Sequence, residues 1–281
     1  MQSGKPSRTA WAAAAHRAVH QVAEAGRIFC DPLAVRILGE DNTESAYESA
    51  GDPGRRRMRI FIAMRTRFAE DASARAIEGG VRQMVVLGAG LDTFAYRSPY
   101  RDKLRVFEVD HPATQTWKRE LLACADIAIP NWLTFAPVDF EQQTLGEGLD
   151  EAGFDSSQQT FFTWLGVVPY LTEEAVWSTL GFVAGVQGGA HVVFDYANPP
   201  DQLSPEMRAY HDERAAHVES IGERWRSYFD TDNLRAQLTR LGFNVIEDLG
   251  PRQIVERYIP ERAAGAAEKG GHIVRAATVR K

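Results

Sequence analysis

The chain has 281 residues, 44% hydrophobic and 25% charged, an ordinary globular composition with ample length for a continuous core. Its net charge of −6 argues against an overall electrostatic footprint for nucleic acid. Two cysteines, Cys30 and Cys124, are too few for a disulfide framework or a zinc site, and their scarcity fits a reducing, cytoplasmic setting.

The opening stretch MQSGKPSRTAWAAAAHRA does not read as a secretory signal, because His16 and Arg17 interrupt its apolar run. No run of about 18 apolar residues occurs, so no membrane span is expected and the protein is expected to be soluble. Residues 7–80 read as mostly helical. A first helix is expected from Ser7 or Thr9, with a turn near Asp31 and Pro32. A longer helix is expected from Arg55 to Glu78, after a loop at Gly51, Asp52, Pro53 and Gly54, and it should stop at Gly79–Gly80. Its basic run, Arg55 to Arg59, is best explained as a solvated helix face.

From residue 82 short apolar runs alternate with helical stretches: QMVVLG, LRVFEV, WLTFAPV, QTFFTWLGVV and AHVVFDY, with crossover helices expected over 113–124, 141–152 and 172–187. This alternation predicts an α/β fold with a doubly wound, mostly parallel sheet. A helix over Asp232–Leu241, a sixth strand FNVIEDL and a closing strand HIVRAATVR complete the pattern. The closing strand follows the Gly270–Gly271 turn after a short gap, so it is expected to pair antiparallel.

The first strand runs into Gly88-Ala89-Gly90-Leu91-Asp92-Thr93. Glycines at such a strand-to-helix turn let the backbone approach a ligand closely. The full dinucleotide fingerprint would need a third glycine where Thr93 stands. The next strand ends in Asp110, 22 residues after Gly88, placed to accept hydrogen bonds from ribose hydroxyls. Glu108 shares its face but lies further from the tip. The third strand ends Asp139-Phe140, where a carboxylate and the following N–H could hold adenine beside a stacking ring; Asp139 could equally be a helix N-cap. Three successive strand tips thus converge on one adenosine.

At this point VVLGAGLDTFAYR, FEVDHPATQTWKRELL, PVDFEQQTL and GVVPYLTEEAV resemble the leucine carboxyl methyltransferase family, in particular its bacterial branch of polyketide-type O-methyltransferases. The resemblance runs from about Ser7 to Tyr196. It implies the Rossmann-like class I methyltransferase fold, a seven-stranded sheet whose final strand is antiparallel, and S-adenosyl-L-methionine as methyl donor. Carried across, Gly88 and Gly90 would approach its methionine part, Asp110 its ribose, and Asp139 with Phe140 its adenine. Arg65 would meet its carboxylate, and Arg8 or Arg17 would be a second basic contact. One departure stands at Leu165, where the family usually has an acid that can meet the ammonium; Asp195 or a backbone carbonyl could replace it.

Helical geometry tests Arg65 independently. Met58, Phe61, Phe68 and Ala72 fall on one arc at 100° per residue, with Arg65 in its middle and Arg67 on the polar side. A guanidinium among apolar neighbours requires an anionic partner, either a ligand carboxylate or a protein acid.

Methyl transfer from a sulfonium is a direct displacement, and a carboxylate acceptor needs no general base, whereas a phenol benefits from one. Tyr170, Tyr196 and His111 are the candidates near the acceptor, with Tyr170 and His111 the catalytic ones and Tyr170 to orient the acceptor; packing and turn roles are the plain alternatives. His211 and His217 lie on a polar helix over 201–224 that could cap an acceptor pocket. No acids and histidines cluster at metal-ligand spacing, so no metal is expected.

The expected organisation is one methyltransferase domain over 1–281: N-terminal helices over 7–80, a cofactor-binding core over 81–200, a lid-like helical insertion over 201–230, and a C-terminal helix and strands over 231–281. The expected partner is a small-molecule methyl acceptor of secondary metabolism, with no nucleic acid, no membrane and an open oligomeric state. Two rival functions are a nicotinamide-dependent oxidoreductase and a non-catalytic binding module on the same fold.

Overall fold

A computed structural model describes residues 8–39, 43–44, 47, 50–140 and 142–278. Ser7, residue 141 and the end of the closing strand beyond 278 therefore lie outside the described residues. In chain order the helices are α1 (Arg8–Ala23), α2 (Ala34–Leu38), α3 (Pro53–Glu78), α4 (Phe94–Arg97), α5 (Pro112–Cys124), α6 (Leu145–Glu151), α7 (Glu173–Gly185), α8 (Pro205–Ser220), α9 (Thr231–Arg240) and α10 (Pro251–Tyr258). The strands are β1 (Gln83–Leu87), β2 (Arg105–Asp110), β3 (Leu133–Pro137), β4 (Thr160–Trp164), β5 (Ala190–Ala197), β6 (Val245–Leu249) and β7 (Gly271–Ala277). They form a seven-stranded sheet in the order β3-β2-β1-β4-β5-β7-β6.

The chain divides into two compact units, Met1–Asp71 with Gly88–Phe154, and Ala72–Leu87 with Asp155–Lys281. In the first, β2 and β3 pair in parallel, Asp110 opposite Pro137. α1 is alanine-rich, a strong local helix preference. Its Ala14, Ala15 and Ala18 pack with Ile37 and Leu38 of α2, Leu122 of α5, and Leu91 from the turn after β1. Small side chains let α1 lie close to that turn.

α3 begins two residues earlier than the loop reading allowed. Asp52 accepts the Arg55 N–H at 2.7 Å, and Pro53 occupies the first helical position, where a missing N–H costs nothing. Gly80, at φ +112°, ends the helix as its neighbour Val81 donates back to the Ala76 carbonyl.

In the second unit β1 pairs with β4 and β4 with β5, all parallel. β1 and β4 are buried along their whole length, which explains why Met84–Leu87 in β1 and Phe161, Phe162 and Trp164 in β4 are apolar on both faces. The strand order reverses between β1 and β4, and ligands of open α/β sheets bind outside the carboxyl ends at such a point. β7 is antiparallel, as expected, but it inserts between β5 and β6. Its direction is not set by a short connection. The chain from β6 to β7 is no short gap but carries α10 and a 3-10 turn at Pro260–Gly265.

Candidate functional site

The turn after β1 leaves the strand through Gly88 at φ +63° and Gly90 at φ +45°. A Cβ on Gly90 would lie 2.9 Å from the Ala10 Cβ, so α1 also requires glycine there. The turn's N–H groups face β2: Ala89 donates to the Val109 carbonyl at 3.0 Å, and Gly90 to Asp110 Oδ2 at 2.7 Å. Two of its carbonyls are held by cations. Arg17 Nη2 donates to the Leu91 carbonyl at 2.6 Å, and Lys118 Nζ to the Asp92 carbonyl at 2.7 Å.

Thr93, where a third glycine was sought, is buried and donates its hydroxyl to Asp31 Oδ2 at 2.7 Å. Asp31 is fully buried and also faces Arg17 at 3.4 Å and Arg97 at 3.5 Å. Arg97 in turn pairs with Glu70 of α3. This acid–base cluster braces the turn; the sequence marks Asp31 only as a turn position and Arg17 only as a candidate cofactor contact, and it gives no sign of Arg97 or Glu70.

Asp110 ends β2 with both oxygens aimed at backbone donors, Oδ2 at Gly90 and Oδ1 at the His111 N–H, 2.7 Å away. Burial pushes its carboxyl above the usual aspartate range, against those two N–H groups. Glu108, its rival, points into the core and pairs with Lys118 at 2.7 Å, both side chains 1% exposed. The tip of β3 lies beside Asp110, whose carbonyl accepts the Val138 N–H at 2.9 Å. Asp139 therefore follows directly on a residue bonded to Asp110, and the acids at 110 and 139 close two adjacent strands. Asp139 is not the N-cap of the next helix. Thr144 takes that role in a capping box with Glu147, while Asp139 Oδ2 accepts from Gln142 Nε2 at 2.6 Å. Phe140 is 62% exposed, an aromatic ring presented to solvent at the strand tip.

His111 caps α5, its Nδ1 accepting the Ala113 N–H at 3.1 Å. Arg65 is 9% exposed and lies 5.9 Å from the Phe61 ring, whereas Arg67 is half-exposed and paired with Asp71. Arg65, Gly88, Gly90, Asp110, His111, Asp139 and Phe140 all belong to the first unit. Tyr170 belongs to the second, in a 3-10 turn at Val168–Tyr170. The backbone of Pro169 in that turn accepts the Arg226 N–H, and Ser227 Oγ donates to the Val168 carbonyl at 2.8 Å.

Leu165 follows β4, and the next residue, Gly166, donates its N–H to buried Asp195 at 2.6 Å. Asp195 is thus bonded to the residue that follows Leu165. On α8 His211 bonds Asp212 and the Tyr228 hydroxyl, each at 2.9 Å, while His217 is exposed. Among the described residues no group of acids, histidines and cysteines could hold a metal ion, and no helix is long and apolar enough to cross a membrane. Cys30 and Cys124 are free and exposed.

The architecture is that of the class I methyltransferases. A crystal structure from Thermobifida fusca YX, described as a methyltransferase, matches with a TM-score of 0.58 at 17% identity, over 99% of this chain and 97% of its own. The leucine carboxyl methyltransferase family model matches residues 10–184, and the chain belongs to that family.

Two relatives carry the name of S-adenosyl-L-methionine-dependent methyltransferases. YktD of Bacillus subtilis (strain 168) is 35% identical over 185 residues, 65% of this chain and 60% of YktD. A Mycobacterium sp. (strain JLS) protein is 30% identical over 249 residues, 83% of this chain and 75% of its own length. The match thus spans less than two thirds of YktD.

Proposed function

We propose that the chain is an S-adenosylmethionine-dependent O-methyltransferase that methylates a carboxyl or phenolic hydroxyl of a small molecule of the polyketide or secondary-metabolite class. The observation that carries the reading is the junction of Gly90, Asp110 and the β3 tip. It supports an adenosine cradle in which Asp110 accepts ribose hydroxyls and Asp139 with the Phe140 N–H receives adenine. Gly88 and Gly90 offer bare backbone to the amino-acid part, and Arg65 offers its guanidinium to the carboxylate. Bound there, the sulfonium would supply an electrophilic methyl group.

The chain's own work is then alignment and exclusion of water, which supplies roughly 7–11 kcal/mol in favourable cases. Tyr170 orients the acceptor by hydrogen bond. His111, whose Nδ1 accepts the Ala113 N–H, carries its ring proton on Nε2 and can donate a hydrogen bond from there to the acceptor oxygen. The membership of the family and the names of its relatives support the choice of methyl donor; the acceptor class rests on resemblance alone.

The nicotinamide alternative fits the geometry poorly. A pyrophosphate needs the N-terminus of a helix after the glycine turn, and α4 has only four residues. Calorimetry with S-adenosylhomocysteine, adenosine and NAD tests the reading. S-adenosylhomocysteine is expected to bind, and Arg65→Met is expected to weaken it while sparing adenosine, which has no carboxylate. Binding of NAD without S-adenosylhomocysteine would overturn it. Mass-spectrometric detection of a methylated product across carboxylic acids and phenols would identify the acceptor.

A further inference from the structure

A buried ammonium is tolerated only when its hydrogens meet acceptors, and Lys118 is 1% exposed. It lies on the covered face of α5 with Thr114, Gln115 and Leu122. Nζ donates to Glu108 Oε2 and to the Asp92 carbonyl, each at 2.7 Å, and stands 5.2 Å from the centre of the Tyr96 ring. Glu108 precedes Asp110 by two residues in β2, and Asp92 follows Gly90 by two in the turn. One ammonium therefore joins the strand that carries the ribose acid to the turn that carries the glycines.

The joint has a definite direction. N–H groups of residues 89 and 90 point at β2, so the carbonyls further along the turn point away, toward α1 and α5. Leu91 is 2% exposed, out of reach of bulk water, and its carbonyl takes Arg17. The Asp92 carbonyl has Lys118. Without a donor there, the peptide after residue 92 would gain by rotating its carbonyl toward solvent, and the glycine backbone would rotate with it.

We propose, on the cofactor reading above, that Lys118 is a positioning residue: its ammonium, hydrogen-bonded to Glu108, locks the Asp92 carbonyl so that the Gly88–Gly90 backbone is presented to the amino-acid half of the methyl donor before binding. It touches no ligand and acts through the turn. Neutralising the whole pair separates this role from simple charge burial. In Lys118→Met/Glu108→Gln no buried charge is left unpaired, yet the Asp92 carbonyl loses its donor.

Calorimetry with S-adenosylhomocysteine and with adenosine, beside a thermal melt, provides the test. The double variant is expected to lose roughly tenfold or more in affinity for S-adenosylhomocysteine, the worth of one charge-assisted bond, with a much smaller loss for adenosine. Equal losses for both ligands, or none for either, would overturn the proposal, because a merely structural lesion has no preference for the amino-acid half. Wild-type protein that binds neither ligand would instead sink the cofactor reading. Hydrogen exchange on the wild-type chain gives a second decision even if the variant does not fold. Amides 89, 90 and 92 are expected to be protected already without ligand; protection that arises only with S-adenosylhomocysteine would refute a preformed lock.

Discussion

Gly90 donates its backbone N–H to Asp110 Oδ2 at 2.7 Å, so the glycine turn and the acid at the end of β2 form one bonded unit. The second oxygen of Asp110 takes the His111 N–H. Ribose hydroxyls would thus meet a carboxylate whose orientation is already set by two backbone donors.

Asp110→Asn tests that arrangement. Both carboxylate oxygens face N–H donors, so an amide must turn its own NH2 toward one of them. Affinity for S-adenosylhomocysteine should fall by about 10- to 100-fold, measured by calorimetry. The wild type should also lose affinity on acidification sooner than an ordinary aspartate would allow. Burial raises the Asp110 pKa, the ionised form is the acceptor, and so affinity is full above the raised value and falls as pH drops through it. A pH-independent affinity across the acid range would remove Asp110 from the site.

Glu108 predicts the pH dependence of stability with the opposite sense. Burial pushes its carboxyl up to about 7, with Lys118 pulling it down and Asp92 and Asp110 adding to the rise. In the unfolded chain it titrates near its ordinary 4.5. Its contribution is fully present below the unfolded value and is lost as pH rises through about 7. Urea melts of wild type and Glu108→Gln should therefore diverge in slope with pH over that window, and parallel curves would show that the group titrates normally.

Gly90→Ala places a Cβ 2.9 Å from Ala10 in a left-handed backbone conformation. The conformation alone costs about 1–2 kcal/mol for a residue with a side chain. We expect a lower melting temperature together with weaker S-adenosylhomocysteine binding, since α1 or the turn must move. A variant indistinguishable from wild type in both measurements would mean that the turn does not need this glycine.

His272 is expected to matter for stability. Its ring bonds Asp248 Oδ1 at 2.8 Å and Asn198 Oδ1 at 2.9 Å, and stacks on Tyr196, whose hydroxyl donates to Asp248 Oδ2 at 2.9 Å. These residues tie β5, β6 and β7 together where the antiparallel strand inserts. His272→Ala leaves a buried carboxylate without one of its partners, a change that typically costs about 3–5 kcal/mol. Chemical denaturation would measure it; a loss below about 1 kcal/mol, the size of an ordinary surface effect, would show the network to be incidental.

Much of the site was legible because its residues lie at the ends of unbroken apolar runs. Asp110 and Asp139 stand at or just beyond the ends of β2 and β3, and Gly88 and Gly90 end the apolar run of β1. Lys118 was invisible for the converse reason. The buried face of α5 carries Thr114, Gln115 and Lys118, so a hydrophobic pattern assigns those positions to solvent. α10 escaped too: Gly250 and Pro251 mark a helix start, but the short turn expected before β7 left no room for it.

By itself the sequence determined what depends on neighbours in the chain: strand and helix preferences, the glycine turn, the acids at the strand tips and the family they belong to. The tertiary structure decided which charge answers which. Arg17 reaches Leu91 across 74 positions and Thr93 meets Asp31 across 62, and nothing local distinguishes them from other pairings. The physical reason is that burial and Coulomb attraction depend on distance in space, so the same lysine is a solvated charge on an open helix and a structural clamp on a covered one.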